Sequence, residues 1–178
     1  MMKRPRLAAA CLAAGALGAC AIGTAGAQAA PKKLTIVSEG KNTVKPNRYF
    51  QSALFFTPGT ATVQTGAPLV VKDKDKSGEP HTITFVKKAD YPTKFEDYLN
   101  CEACNTAITA HGLDGPPSDA GPTLTVNEGG TGIDAPGDSL YFDPEVSAKS
   151  KITAKAGSTL YFVCAVHPWM QGKLKVTK

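Results

Sequence analysis

Histidine is scarce in this chain. Among 178 residues there are three, His81, His111 and His167. Any centre that needs a crowd of imidazoles is excluded. Tryptophan occurs once, as Trp169. A membrane-spanning run is missing too: the longest apolar stretch, Leu7 to Ala19, is too short to cross a bilayer, and none follows it. Charge of one sign is also nearly absent. The formal +5 rests on 20 basic and 15 acidic residues, and three of the basic ones, Lys3, Arg4 and Arg6, lie in the first six positions. Without them 17 face 15, or +2, which gives no ground for a nucleic-acid or polybasic membrane role.

Those first residues read as an export signal. A basic start, the apolar run and the small-x-small site Ala27-Gln28-Ala29 make residues 1–29 a secretory leader. Leu17-Gly18-Ala19-Cys20 also resembles a lipobox, which would make a lipidated Cys20 the mature N-terminus and provide the only membrane attachment. Either cleavage places the protein outside the cytoplasm, periplasmic or secreted. Residues 30–33 form a linker, and 34–178 make one domain of ordinary size.

Five cysteines are present, and Cys11 and Cys20 fall in the leader. That leaves Cys101, Cys104 and Cys164. Three thiols in an oxidising compartment leave at least one unpaired within a monomer.

Short runs of β-branched and aromatic residues, separated by Gly and Pro, predict an all-β domain. Strands are expected at 34–38, at 53–63 with a break at Pro58-Gly59, and at 68–72 and 82–87. Further strands are expected at 139–142, 151–154, 159–164 and 173–177. This is the pattern of a β-sandwich. Residues 89–136 depart from it. Thr93 and Glu96 have capping-box spacing, and Phe95, Tyr98, Leu99 and Ala103 follow a helical period toward Ala110, where Gly112 stops it. From 112 to 137 the chain is rich in Gly, Pro and Asp and is expected to be loop.

The chemistry concentrates in Cys164-Ala165-Val166-His167-Pro168-Trp169-Met170. A thiolate, an imidazole and a thioether stand three residues apart on a loop that Pro168 stiffens. With one more imidazole they would hold a single copper ion in a trigonal His₂Cys plane with a weak axial Met, the donor set of blue-copper electron-transfer sites. His81, in Glu79-Pro80-His81, is the candidate for that imidazole. Three histidines rule against an oxidase with a multinuclear copper centre. Separately, Cys164 could be an inert buried thiol and Met170 a core filler, since both pack readily. Their joint spacing with His167 argues otherwise.

Cys101-x-x-Cys104 with His111 admits three readings. One is a disulfide stapling the insertion, favoured by export. Another is a second metal site with Asp97, Asp114 or Asp119 as further partners. It requires the chain to turn back near Gly112, because Cys104 and His111 would stand ~10 Å apart along one helix. The last is a redox-active pair at a helix start.

On these residues the chain resembles the cupredoxins, the small blue-copper proteins that include plastocyanin and amicyanin. The matching segments are 56–85, with Pro-x-His ahead of a core strand, and 157–176, whose loop is most similar to the short amicyanin loop. The resemblance implies a Greek-key β-sandwich with a partly helical, loop-rich insertion over about 89–136. It further implies one type 1 copper held by His81, Cys164, His167 and axial Met170. By the same likeness the chain is a monomeric carrier of single electrons between transient protein partners, not an enzyme. A copper-delivery protein, with the metal as cargo, is the other reading. The resemblance also gives His167 an imidazole edge at an apolar surface, with Pro168 and Trp169 beside it as the electron-transfer surface. Two departures stand out. Thr82 and Ala165 occupy positions where many cupredoxins carry Asn and Ser or Thr, and His81 lies 83 residues before Cys164, about twice the usual gap.

Overall fold

The computed structural model describes residues 32–116 and 120–178. The leader, the Cys20 lipobox and Asp119 lie outside the described residues.

Twelve strands and two helices follow one another in the order β1 (Leu34–Glu39), β2 (Asn42–Lys45), β3 (Tyr49–Ser52), β4 (Phe55–Thr57), β5 (Thr60–Gln64), β6 (Pro68–Asp73), β7 (His81–Val86), α1 (Phe95–Leu99), α2 (Glu102–His111), β8 (Thr125–Val126), β9 (Ser139–Phe142), β10 (Ala148–Lys151), β11 (Thr159–Val163) and β12 (Gln171–Thr177). One sheet has the order β10-β6-β1-β4, a second β5-β12-β11-β7-β9-β8, and β2 and β3 pair apart from both. The two large sheets form the expected β-sandwich, with crossovers between them in place of simple hairpin succession. The break at Pro58-Gly59 is such a crossover. β4 pairs with β1 in the first sheet, whereas β5 pairs with β12 in the second.

Period-two alternation explains the core. Ile83 and Phe85 of β7, Leu140 and Phe142 of β9, and Leu160 and Phe162 of β11 turn between the sheets to meet Ile36, Phe56 and Leu69. Phe162 is central, with its ring centroid 5.7 Å from that of Phe56 and 6.0 Å from that of Phe85. Gly172 directly opposite has to be bare: a Cβ there would come within 2.2 Å of the Phe162 ring and 2.3 Å of the Gly59 carbonyl oxygen.

A sheet with one solvated face should bury every second residue. In β7 all six are buried. The insertion is the cause. α2 lies over the outer face, where Val86, Val163 and Ala165 pack with Cys101, Cys104 and Ala107 in a second apolar cluster. The outward-facing Thr82 and Thr84 are sealed in with them.

Several local expectations shift. The helical stretch is two helices divided at Asn100–Cys101, and α1 is capped by the Asp97 carboxylate accepting from the Lys94 amide at 3.0 Å, not by a Thr93–Glu96 box. Gly112 ends α2 in the left-handed region at φ +73° as expected. Strand β10 runs over 148–151, three residues ahead of the expected 151–154. The β2–β3 hairpin escaped the sequence reading because its pairs, such as Val44 with Phe50, are exposed and show no buried alternation.

Candidate metal centre

The scaffold brings the expected residues to one end of the sandwich. His81 opens β7, Cys164 follows the last residue of β11, and His167 and Met170 sit in the loop before β12. Two backbone bonds close that loop. Cys164 N–H donates to the Met170 carbonyl at 2.9 Å, and Met170 N–H to the His167 carbonyl at 2.8 Å. The Gln171 amide donates to the carbonyls of Pro168 and Pro92, both at 2.9 Å, pinning the loop to the start of the insertion.

The Nδ1 atoms of His81 and His167 face the Cys164 sulfur at 3.8 and 3.7 Å. All three donor atoms lie within 4.8 Å of one another. Metal bonds of about 2.0–2.1 Å to nitrogen and 2.3 Å to sulfur, set 120° apart, would separate N from S by ~3.8 Å. The spacing therefore suits a trigonal N₂S ion. Met170 is fully buried in the same cluster as Cys164. Thiolate, two imidazoles and a thioether are the donors of a type 1 copper ion.

Burial pushes the Cys164 thiol up to about 11, against the opposing pull of nearby amides. Burial, and then the neighbouring His81, hold His167 below the usual imidazole range. A buried thiol next to an imidazole held neutral is a pocket that exchanges a proton for a cation.

Carboxylates stand behind both imidazoles. His81 Nε2 meets Asp75 Oδ2 at 2.5 Å with both side chains fully buried. His167 Nε2 lies 3.0 Å from Glu79 Oε2. Burial works to raise the Asp75 carboxyl, but the Ser77 hydroxyl and amide, His81 and Ser38 together bring it below its ordinary value. Asp73, Asp75 and His81 also cluster closely. They share the back of the same imidazole and belong to one centre. The polar run 72–78 looks from sequence like a plain turn; the only available signal was acidic residues just ahead of a ligand histidine.

His167 keeps only 8% of its side chain exposed, with Glu79 beside it. Trp169 is 39% exposed and sets its ring edge-on to His167 at 5.2 Å.

Cys101 and Cys104 are joined in a disulfide, with Cα atoms 5.1 Å apart. Cys101 caps α2, its sulfur accepting from the Cys104 amide. His111 is buried and directs Nδ1 to the Thr123 carbonyl and Nε2 to the Ser139 hydroxyl. Asp97 caps α1, and Asp114 accepts from Thr109. The second metal site built on Cys101, Cys104 and His111 is thus corrected: both sulfurs are bonded to each other, and both ring nitrogens are engaged elsewhere.

No family model matches the chain, and no curated protein matches it. Among solved structures it is similar to a purple cupredoxin from Nitrosopumilus maritimus, at 12% identity over 80% of this chain and 98% of that one, with a TM-score of 0.42. A reduced auracyanin from Roseiflexus castenholzii is 20% identical over 81% of this chain and 95% of its own, with a TM-score of 0.44. Auracyanin A from Chloroflexus aurantiacus is 20% identical over 80% and 99%, with a TM-score of 0.40. At such distances the reading of the centre stands on this chain's own donors.

Proposed function

We propose that this chain is an exported type 1 copper protein that carries single electrons between transient protein partners. In this reading residues 34–178 are the working domain, residues 1–29 direct export, and His81, Cys164, His167 and Met170 hold one copper ion. The observation that carries it is the convergence of two imidazole Nδ1 atoms on a fully buried thiol at 3.7–3.8 Å. When bound, copper supplies a one-electron couple, with soft Cys and Met suiting Cu(I) and imidazole suiting both states. The chain's own residues hold the donors in place. The closed loop fixes Cys164 relative to Met170, the two carboxylates orient the imidazoles, and burial excludes water from the sulfur. Trp169 and the His167 edge form the surface through which a partner would approach, and weak docking suits a carrier that must release it.

The delivery reading fits less well. His81, Cys164 and Met170 are all fully buried, which favours keeping a metal over passing it on. A redox enzyme built on Cys101 and Cys104 fits no better, since the pair is 7% and 2% exposed, buried where α2 packs on the sheet.

Absorption and EPR titration with Cu(II) test the proposal. One equivalent should produce an intense thiolate-to-copper band and a reversible one-electron couple; a colourless protein that hands Cu(I) to an acceptor sinks it. In the same assay the double variant Cys101→Ser, Cys104→Ser should keep the band and the couple. Its stability should fall by about 2 kcal/mol, the loop-closure value for so short a ring, read by thermal melting. Asp75→Asn should weaken copper binding ~10–100-fold, as loss of a histidine's outer partner typically does, measured by competition with a chelator. Unchanged affinity would show that the Asp75 contact does not orient His81.

A further inference from the structure

The insertion does more than cover the sheet. Across the outer face of β7 runs an unbroken line of buried polar groups that begins beside the candidate copper ligand and ends in α2. Ala165 N–H lies 2.8 Å from Thr82 Oγ1, Thr82 Oγ1 lies 2.8 Å from Thr84 Oγ1, and Thr84 Oγ1 lies 2.8 Å from Ser139 Oγ. Ser139 Oγ is 2.7 Å from His111 Nε2. None of Thr82, Thr84, Ser139 and His111 is more than 1% exposed.

The direction of every bond follows from its two ends. The Thr123 carbonyl facing His111 Nδ1 can only accept, so Nδ1 carries the proton. Burial depresses the affinity of the ring for a second proton and keeps it neutral, which leaves Nε2 an acceptor. Ser139 must therefore donate to His111, Thr84 to Ser139 and Thr82 to Thr84. At the other end the Ala165 amide can only donate, and Thr82 Oγ1 accepts from it. Each hydroxyl gives one bond and takes one, and all point toward the imidazole. A chain aligned head to tail polarises each member in the same sense.

Thr82 is where this line touches the metal centre. Its own amide faces the Cys164 sulfur at 3.4 Å, and its hydroxyl holds the residue after Cys164. Thr82 thus ties the two ligand segments together through the Ala165 backbone, a task the alanine side chain could not perform. Resting on the copper reading above, we propose that His111 is a positioning residue for the copper centre: as terminal acceptor of the Thr82–Thr84–Ser139 chain, it lets the insertion set the hydrogen bonding around the Cys164 sulfur and so the potential. Without that acceptor the Ser139 hydroxyl turns back toward Thr84 and the order reverses. Thr82 then accepts from Thr84 as well as from Ala165, and the bond to Ala165 loosens.

Hydrogen bonds to the thiolate favour the reduced, more electron-rich centre, so loosening them should lower the midpoint potential. Voltammetry of the copper-loaded protein should show a downward shift in His111→Leu, Ser139→Ala and Thr84→Val, with the visible band moving the same way in all three. His111→Gln, which restores an acceptor, should return toward the parent. Amide exchange of the folded, metal-free protein gives a readout independent of copper. The Ala165 amide should exchange about fivefold faster or more in the three variants, the factor that one hydrogen bond is worth. Thr84→Val keeps the shape of the side chain and leaves the His111–Thr123 contact whole, so it decides the matter should His111→Leu fail to fold. Unchanged Ala165 exchange overturns the proposal, as does a faster exchange with an unchanged potential. If the parent protein forms no blue centre, the copper reading fails, and the potential-setting role of His111 falls with it; the exchange data alone then report on the chain.

Discussion

Cys164→Ala is expected to abolish the visible charge-transfer band completely and to weaken Cu(II) binding by more than ~100-fold, beyond what loss of an outer partner costs. The thiolate is the only soft anionic donor at the centre. His81, His167 and Met170 are neutral ligands, so without the sulfur no donor atom in direct reach of the ion carries charge, and the carboxylates of Asp75 and Glu79 act only from behind the imidazoles. The fold should hardly register the change. Cys164 is fully buried, and alanine removes little more than one sulfur, a loss of about 1 kcal/mol by methylene-scale accounting. That pairing separates the two roles the residue could play. A metal ligand takes the spectrum with it at this small cost in stability, whereas an inert core thiol would leave the spectrum unchanged at the same cost. A band of undiminished intensity in the variant places the sulfur outside the coordination sphere and sinks the assignment.

The candidate ligands are legible in the sequence because their spacing is local. Cys164, His167 and Met170 stand on one loop whose offsets appear in the sequence, and the scarcity of histidine did the rest. His81 stands in Pro-x-His ahead of an alternating strand, where an imidazole at the end of the sandwich is to be expected. The carboxylates were harder to see. Asp75 and Glu79 reach His81 and His167 only because the turn after β6 folds back over the centre, and a polar run of this kind is ordinarily a solvated loop.

The relay was hidden for a different reason. Thr82 and Thr84 have the spacing of a solvent-facing strand edge, the bland reading of an alternating sequence. They become a connected chain only because α2 covers them, and Ser139 joins because β9 pairs it directly with Thr84. The pairing spans 55 residues, with the whole insertion between. Sequence alternation says which residues share a face; it does not say what covers that face. The same limit explains why β7 proved buried on both sides and why the second apolar cluster under α2 has no counterpart in the strand pattern.

Phe162→Ala carries the largest expected effect on stability. Its ring is fully buried between the sheets, against Phe56 and Phe85, and over the bare Cα of Gly172. Truncation removes the aromatic contacts and leaves a cavity that the flanking strands cannot close, because β11 is paired on both edges, to β12 and to β7. A cost of about 3–5 kcal/mol follows. At about 2–4 °C per kcal/mol for a domain of this size, the melting temperature should fall by roughly 10 °C. Denaturant unfolding should show a lower midpoint with the same slope, since the surface exposed on unfolding barely changes. Phe50→Ala is the matched control. That ring is 60% exposed on the β3 hairpin, and its loss should stay within about 0.5 kcal/mol. A Phe162 variant that loses less than about 1 kcal/mol would mean that the inter-sheet aromatic cluster is not what holds β11 in place. Because Cys164 lies two residues beyond Phe162 on the same chain segment, copper should protect the parent more than the variant. A ligand adds stability only in proportion to its affinity for the folded state, and a ligand strand with a cavity beneath it holds its metal less well.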